Sequence, residues 1–129
     1  MTTPFELDTT YVHLPDGPGA LPLEVGPDFW ATIDARTDLD DGRLVALFHY
    51  DRDWPTSEVH PAGDEIVYLL SGRVDLVLEE EGGARVIEMR GGTAAIVPRG
   101  VWHTARVHEP GDALHITRGA GTQNRPAPS

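Results

Sequence analysis

Six histidines are spread over 129 residues, and two of them sit where they can meet carboxylates. Glu58 and His60 are two residues apart, so on a strand both side chains leave the same face. Pro61-Ala62-Gly63 then turns the chain. Glu65 opens the next apolar run, with Val67 and Leu69 on its own face. That face should be the interior, so Glu58, His60 and Glu65 can point into one enclosed space. His103 comes far along the chain, after the turn Pro98-Arg99-Gly100. It shares a face with Ala105 and Val107, while the more polar Thr104 and Arg106 take the other, so it points inward too. Imidazoles and carboxylates converging on one point are the donors of a divalent metal site, and equally of acid–base chemistry.

Other chemistries are excluded by what the chain lacks. It has no Cys, hence no disulfide, no thiolate nucleophile and no Cys-based zinc or iron–sulfur site. It has no Lys, since all ten basic residues are Arg, which removes Schiff-base chemistry and the P-loop lysine. Ser occurs only at positions 57, 71 and 129, never within G-x-S-x-G. The net charge of −11 opposes nucleic acid and anionic membranes, so neither is expected as a partner. Apolar runs such as Leu44–Phe48 are too short to cross a bilayer. Met1-Thr2-Thr3-Pro4-Phe5 shows no basic region followed by an apolar stretch, and a cytoplasmic location is expected.

The elements that must position these residues are strands. Arg43–Tyr50, Glu65–Leu70, Arg73–Glu79, Ala84–Met89, Ala94–Val97, Trp102–Val107 and Ala113–Thr117 are short β-like runs, each ended by turn residues. Val74, Leu76 and Leu78 alternate with Arg73, Asp75 and Glu79, the pattern of a half-buried strand. No stretch of length carries a helical period, so an all-β sandwich or barrel is expected. Residues 1–40 are read as a loop and strand extension, in which Phe29-Trp30 and Ile33 fit a short helix or a strand. Residues 41–118 are read as the core and 119–129 as a tail.

Glu58-x-His60-x4-Glu65-x6-Gly72 resembles the first motif of the cupin superfamily, and Gly92-x5-Pro98-x-Gly100-x2-His103 resembles the second. The likeness covers about residues 43–117, as in small single-domain cupins. It implies a double-stranded β-helix, the cupin jelly roll, with one metal ion at its centre. Gly72 and Gly100 suit tight turns, and Pro98 fixes the backbone before the strand that carries His103.

The first motif of the family usually opens His-x-His, and here it is Glu58-x-His60. Three arrangements follow. All four of Glu58, His60, Glu65 and His103 ligate, leaving a formally neutral site with a divalent Fe, Mn, Zn or Ni. Alternatively Glu58 swings away, and the other three form a two-His, one-carboxylate triad. Or no metal binds, and the two carboxylates share a proton, one with a raised pKa. Glu58 is also the candidate catalytic base. His13, His49, His108 and His115 are read as ordinary core or surface histidines. Of these, His49 could line the barrel by its parity with Val45 and Leu47, and alternation points His115 outward.

A pocket lined by Tyr68 or its neighbours, Val67, Leu69, Leu76, Ala105 and Val107, should take a small, partly apolar organic molecule. The resemblance implies a dioxygenase- or isomerase-type enzyme or a non-catalytic binding module, and the fold does not choose between them. Apolar residues on both faces of Arg43–Tyr50 point to a homodimer.

Overall fold

The computed structural model describes residues 3–128. Eleven strands form among them: β1 (Thr10–Leu14), β2 (Leu21–Glu24), β3 (Arg43–Tyr50), β4 (Thr56–Val59), β5 (Glu65–Leu69), β6 (Arg73–Glu80), β7 (Gly83–Arg90), β8 (Thr93–Val97), β9 (His103–Glu109), β10 (Gly111–Thr117) and β11 (Gln123–Pro126). One sheet runs β2-β1-β3-β10-β5-β8 and the other β11-β4-β9-β6-β7, with every pairing antiparallel. The all-β jelly roll expected from the motifs is what forms, as two facing sheets not closed into a continuous barrel. All seven expected strands are present. Phe29–Thr32 is one turn of helix, α1, followed by 3-10 turns at Ile33–Ala35 and Thr37–Leu39. No helix among the described residues is long and apolar enough to cross a membrane.

Alternation sets the faces. In β5 Glu65, Val67 and Leu69 are buried, whereas Ile66 and Tyr68 are exposed. Val67 and Leu69 meet Leu76, Leu78 and Ala105 of the opposite sheet in one packed core. Two expectations about the pocket fail here. Val67, Leu69, Leu76 and Ala105 fill space rather than line it, with Val107 packed against them, because side chains from both sheets interdigitate at this end. Tyr68 points to the outer face, one position out of phase with Glu65.

In β3 the inward residues are Ala46, Phe48 and Tyr50. Val45, Leu47 and His49 take the outer face. His49 therefore lies outside the barrel, its ring between Asp8 and Asp112. The outer face continues through the register Leu47↔Leu114↔Tyr68 and Val45↔Ile116↔Ile66↔Ile96, an apolar surface with Ile96 62% and Ile66 40% exposed.

Both ends of the chain join the fold. Tyr11 and Phe29 pack on Ala46 with Ile33, Leu39 and Phe48 around them, so the N-terminal segment caps one end of the first sheet. The stretch read as a tail supplies β11, paired with β4, and the Arg125 guanidinium lies 4.0 Å over the Trp102 ring and bonds Glu79.

Gly72 has φ +90°, and a Cβ there would fall 2.6 Å from the Glu109 carbonyl oxygen. Gly82 has nearly the same φ, +92°, but open space around it. Gly72→Ala should therefore cost on the order of 2 kcal/mol or more, and Gly82→Ala only about 1 kcal/mol. Urea unfolding of the two variants checks the difference, and equal losses would contradict the close packing at Gly72.

Candidate metal centre

Strand pairing and two loops bring the four candidate ligands together. Glu58 of β4 stands opposite His103 of β9 in register. His60 follows directly after β4, and its carbonyl accepts the Gly100 N–H at 3.0 Å. Asp64 accepts the Arg99 N–H at 2.9 Å, fixing the start of β5 and with it Glu65. One donor atom from each of Glu58, His60, Glu65 and His103 lies within 4.8 Å of the others.

The contacts leave room for an ion between the four side chains. His60 Nε2 is 3.3 Å from Glu58 Oε1 and 3.3 Å from Glu65 Oε2. His103 Nε2 is 3.5 Å from Glu58 Oε1 and 3.3 Å from Glu65 Oε1. Atoms bound at about 2.1 Å to one ion stand roughly 3.0–3.4 Å apart in octahedral or tetrahedral sites. His60 Nε2, His103 Nε2 and Glu65 Oε1 are buried with no hydrogen-bond partner. Such groups are rare in folded proteins and call for an explanation. Donor set, spacing and unpaired atoms all fit a divalent ion.

The opposite edges of three ligands, His103, His60 and Glu65, are pinned. His103 Nδ1 donates to the Val101 carbonyl at 3.1 Å, which can only accept, so Nδ1 carries hydrogen and Nε2 is left for the centre. His60 Nδ1 donates at 2.8 Å to Thr122 Oγ1, whose own hydrogen goes to the Gly119 carbonyl. Glu65 Oε2 accepts from Thr117 Oγ1 and, at 3.3 Å, from His115 Nδ1. The Tyr50 hydroxyl then donates to His115 Nε2. Burial and the nearby Glu65 and Glu58 push the Tyr50 pKa up, so it stays a donor. This support orients ligands as in known metal sites.

His115 thus corrects the sequence reading. It is 2% exposed and points inward, with Leu114 and Ile116 outside. Strand β10 inverts the usual polarity, because its inner face borders a polar centre and its outer face joins the apolar surface. Tyr50, Thr117 and Thr122 were also missed. The signal for Thr117 was its shared parity with His115. Thr122 lay in a stretch with no apolar pattern.

Glu58 turns inward onto both histidines, 24% exposed by side chain, so it does not swing away. A carboxylate pair with a raised pKa does not form either. Burial alone would raise Glu58, but the His103 and His60 imidazoles beside it outweigh that and hold the pKa at about 2. Glu65 is likewise held well below the usual range by His103, His115 and His60 against its burial. Burial would lower the histidines, yet the same carboxylates, Glu58 first, raise His60 to about 9 and His103 to about 10.

A cavity of about 740 Å³ opens from Glu58, His60 and Glu65 toward the N-terminal cap. Its walls include Trp30, Ile33, Leu39, Phe48 and Trp54. None of these is among the residues expected from the sequence to line the pocket. Arg106 is exposed on the surface, as its parity indicated.

Comparison with known proteins agrees with this architecture. The family model for the cupin domain matches residues 47–117. Bacillus subtilis oxalate decarboxylase, in a structure concerned with its Mn(II) centres, matches with a TM-score of 0.53 and 21% identity, over 65% of this chain and 23% of that one. A tryptophan-to-phenylalanine variant of the same enzyme gives 0.55 and 22%, over the same shares. The chain thus spans about a quarter of the oxalate decarboxylase length, and the likeness is one of fold. A search of curated proteins returns no match. With both motifs in place across more than half its length, the chain belongs to the cupin domain family.

Proposed function

We propose that this protein holds one divalent metal ion through His60, His103, Glu65 and Glu58, and acts on a small organic molecule admitted by the adjoining cavity as an oxygenase- or isomerase-type enzyme. The observation that carries this reading is the set of buried, unpartnered atoms, His60 Nε2, His103 Nε2 and Glu65 Oε1, aimed at one centre. Leaving such a group unpaired costs about 1–3 kcal/mol, which a cation offsets. Two nitrogens and two hard oxygens suit Mn or Fe, with Zn and Ni also compatible. Manganese has a parallel in the Mn(II) centres of the oxalate decarboxylase that shares the fold.

A divalent ion at this position supplies Lewis acidity toward an oxygen-bearing substrate, and with Fe or Mn also redox chemistry. The remaining work falls to the chain. Tyr50, His115 and Thr117 hold one Glu65 oxygen so that the other faces the centre. Thr122 and the Val101 carbonyl fix the imidazole rings. Glu58 is the least buried of the four and borders the cavity, so it is the ligand side chain that meets an incoming substrate. Two carboxylates leave the site formally neutral with a divalent ion, a weaker Lewis acid than a three-histidine, one-glutamate site.

The same outer apolar face supports a second proposal, that two copies associate through it. Ile66, Tyr68 and Ile96 lie side by side there, and β10 sends Leu114 and Ile116 outward while keeping His115 inside. A self-complementary apolar patch is the ordinary basis of a two-fold dimer. Light scattering at micromolar concentration should give twice the 14.0 kDa of one chain, and a Ile96→Asp variant should give one. A monomeric wild type would contradict it.

Two measurements test the metal reading. His60→Ala and His103→Ala should each retain less than about a tenth of the wild-type metal, and Glu58→Gln should bind roughly 10- to 100-fold more weakly. Elemental mass spectrometry of tag-free protein reads this out. Full metal content in both histidine variants would overturn the assignment. Loaded wild type that binds small molecules but converts none would favour a binding module over an enzyme.

Proton linkage gives an independent check. In metal-free protein both histidines are charged at pH 7, and each must lose its proton to ligate. Calorimetry in buffers of different ionisation enthalpy should show about two protons released per metal. The same raised pKa values stabilise the metal-free fold fully below about pH 6.5, and that contribution is lost as pH rises through about 9 to 10. Its Tm should fall across that window while the metal-loaded Tm holds. Release of no protons would contradict ligation by these two imidazoles.

A further inference from the structure

The cavity beside the metal centre has a chemical bias of its own. Three aromatic rings line it. Trp30 stacks on Phe48 with centroids 5.2 Å apart, Trp54 lies nearer the metal centre, and the buried His115 ring backs both, 4.5 Å from Phe48 and 6.1 Å from Trp54. Ile33 and Leu39 of the N-terminal cap add aliphatic surface to the lining. At about 740 Å³ the space lies within the range of roughly 300–1,000 Å³ typical of pockets for drug-sized ligands, and it is far larger than a two-carbon acid needs. Trp30 is 46% exposed, so a large apolar ring stands at the entrance with its surface uncovered.

The charges on this wall are one-sided. Asp34 and Asp40 flank the mouth, and Glu58 and Glu65 lie at the floor. Outside the metal centre, the basic residues among the described lining are Arg36 and His49, whose ring lies on the outer face of β3, and each side chain is already engaged. Arg36 is held bidentately by Asp38, at 2.9 and 2.8 Å. His49 sits between Asp8 and Asp112. An anion entering here meets no free counter-ion, and a divalent metal bound to two glutamates offers no net positive charge. A carboxylate would lose its hydration with no net positive charge to offset the loss.

We infer that this cavity selects an aromatic molecule that is uncharged or cationic, and rejects carboxylate substrates such as small dicarboxylic acids. The inference rests on the proposed function for the floor of the cavity but not for its walls. The aromatic stack would hold the ring, and the floor would receive a polar group such as a hydroxyl. Electrostatics then sets specificity more than contact area does. A shared fold with an oxalate decarboxylase therefore does not carry oxalate as a substrate.

Three probes on one ring system isolate the charge: 2-naphthol, 2-naphthylmethylammonium and 2-naphthoate. Calorimetric titration of the full chain, Mn(II)-loaded and chelator-treated, should show naphthol and the ammonium binding at least tenfold more tightly than naphthoate. Trp30→Ala, at an exposed position, should weaken naphthol at least fivefold. The Asp34→Arg/Asp40→Arg double variant should strengthen naphthoate at least threefold. Naphthoate binding as tightly as naphthol, or an unchanged naphthol affinity in Trp30→Ala, would overturn the inference. If Mn(II) fails to bind while the ranking of the probes persists, the metal reading falls and the cavity reading stands. If Mn(II) binds and the ranking reverses, only the cavity reading falls.

Discussion

Glu65 is 2% exposed and ionised, a costly state for a carboxylate unless donors surround it. The structure meets that demand asymmetrically. One oxygen takes hydrogen bonds from Thr117 and His115, and the Tyr50 hydroxyl secures His115 from behind. The other oxygen is unpartnered and faces His103. Three strands of the first sheet, β3, β5 and β10, contribute to this arrangement, so their order side by side is a requirement of the site as much as of the core. The second sheet answers with Glu58 and His103 in register across β4 and β9. The two sheets are thus joined through buried polar chemistry at one end and through the Val67, Leu69, Leu76 and Ala105 packing at the other.

The termini are part of this design rather than appendages to it. Thr122, just before β11, orients His60, and Arg125 on β11 is stacked on Trp102 beside His103. At the other end, α1 and the two 3-10 turns bring Trp30, Ile33 and Leu39 over the cavity. The same N-terminal packing that buries Phe29 against Tyr11 and Ala46 therefore shapes the entrance to the site. Substitutions in either segment act on the centre at a distance from its ligands.

The sequence carried the ligand set because parity was informative there. Glu58 and His60 are two apart, Glu65 shares a face with Val67 and Leu69, and His103 shares one with Ala105, so period-two alternation sufficed. Parity failed where both faces of a strand are apolar or where polarity is inverted. In β10 the hydrophobic residues lie outside, which hid His115 and Thr117. In β3 the pattern offered no choice of face, and His49 fell on the outer one. Strand β11 left no trace, because Gln123–Pro126 is exposed throughout and is held by main-chain pairing and one arginine. The cap was equally hidden, since Phe29, Trp30 and Ile33 acquire their role only from contacts with β1 and β3, distant in the chain. The placement of the pocket failed for a related reason. Alternation tells which residues face inward, but not which inward residues meet a partner and which border open space.

The central claim is that His60 Nε2, His103 Nε2, Glu65 and Glu58 surround one metal ion. Anomalous diffraction from crystals of Mn(II)-loaded protein, recorded on both sides of the Mn absorption edge, tests it most directly. The account predicts one peak per chain within about 2.0–2.4 Å of those two nitrogens and of a Glu65 oxygen, with Glu58 also coordinated. A peak elsewhere on the chain, or none in crystals whose protein retains Mn(II) in solution, would contradict it.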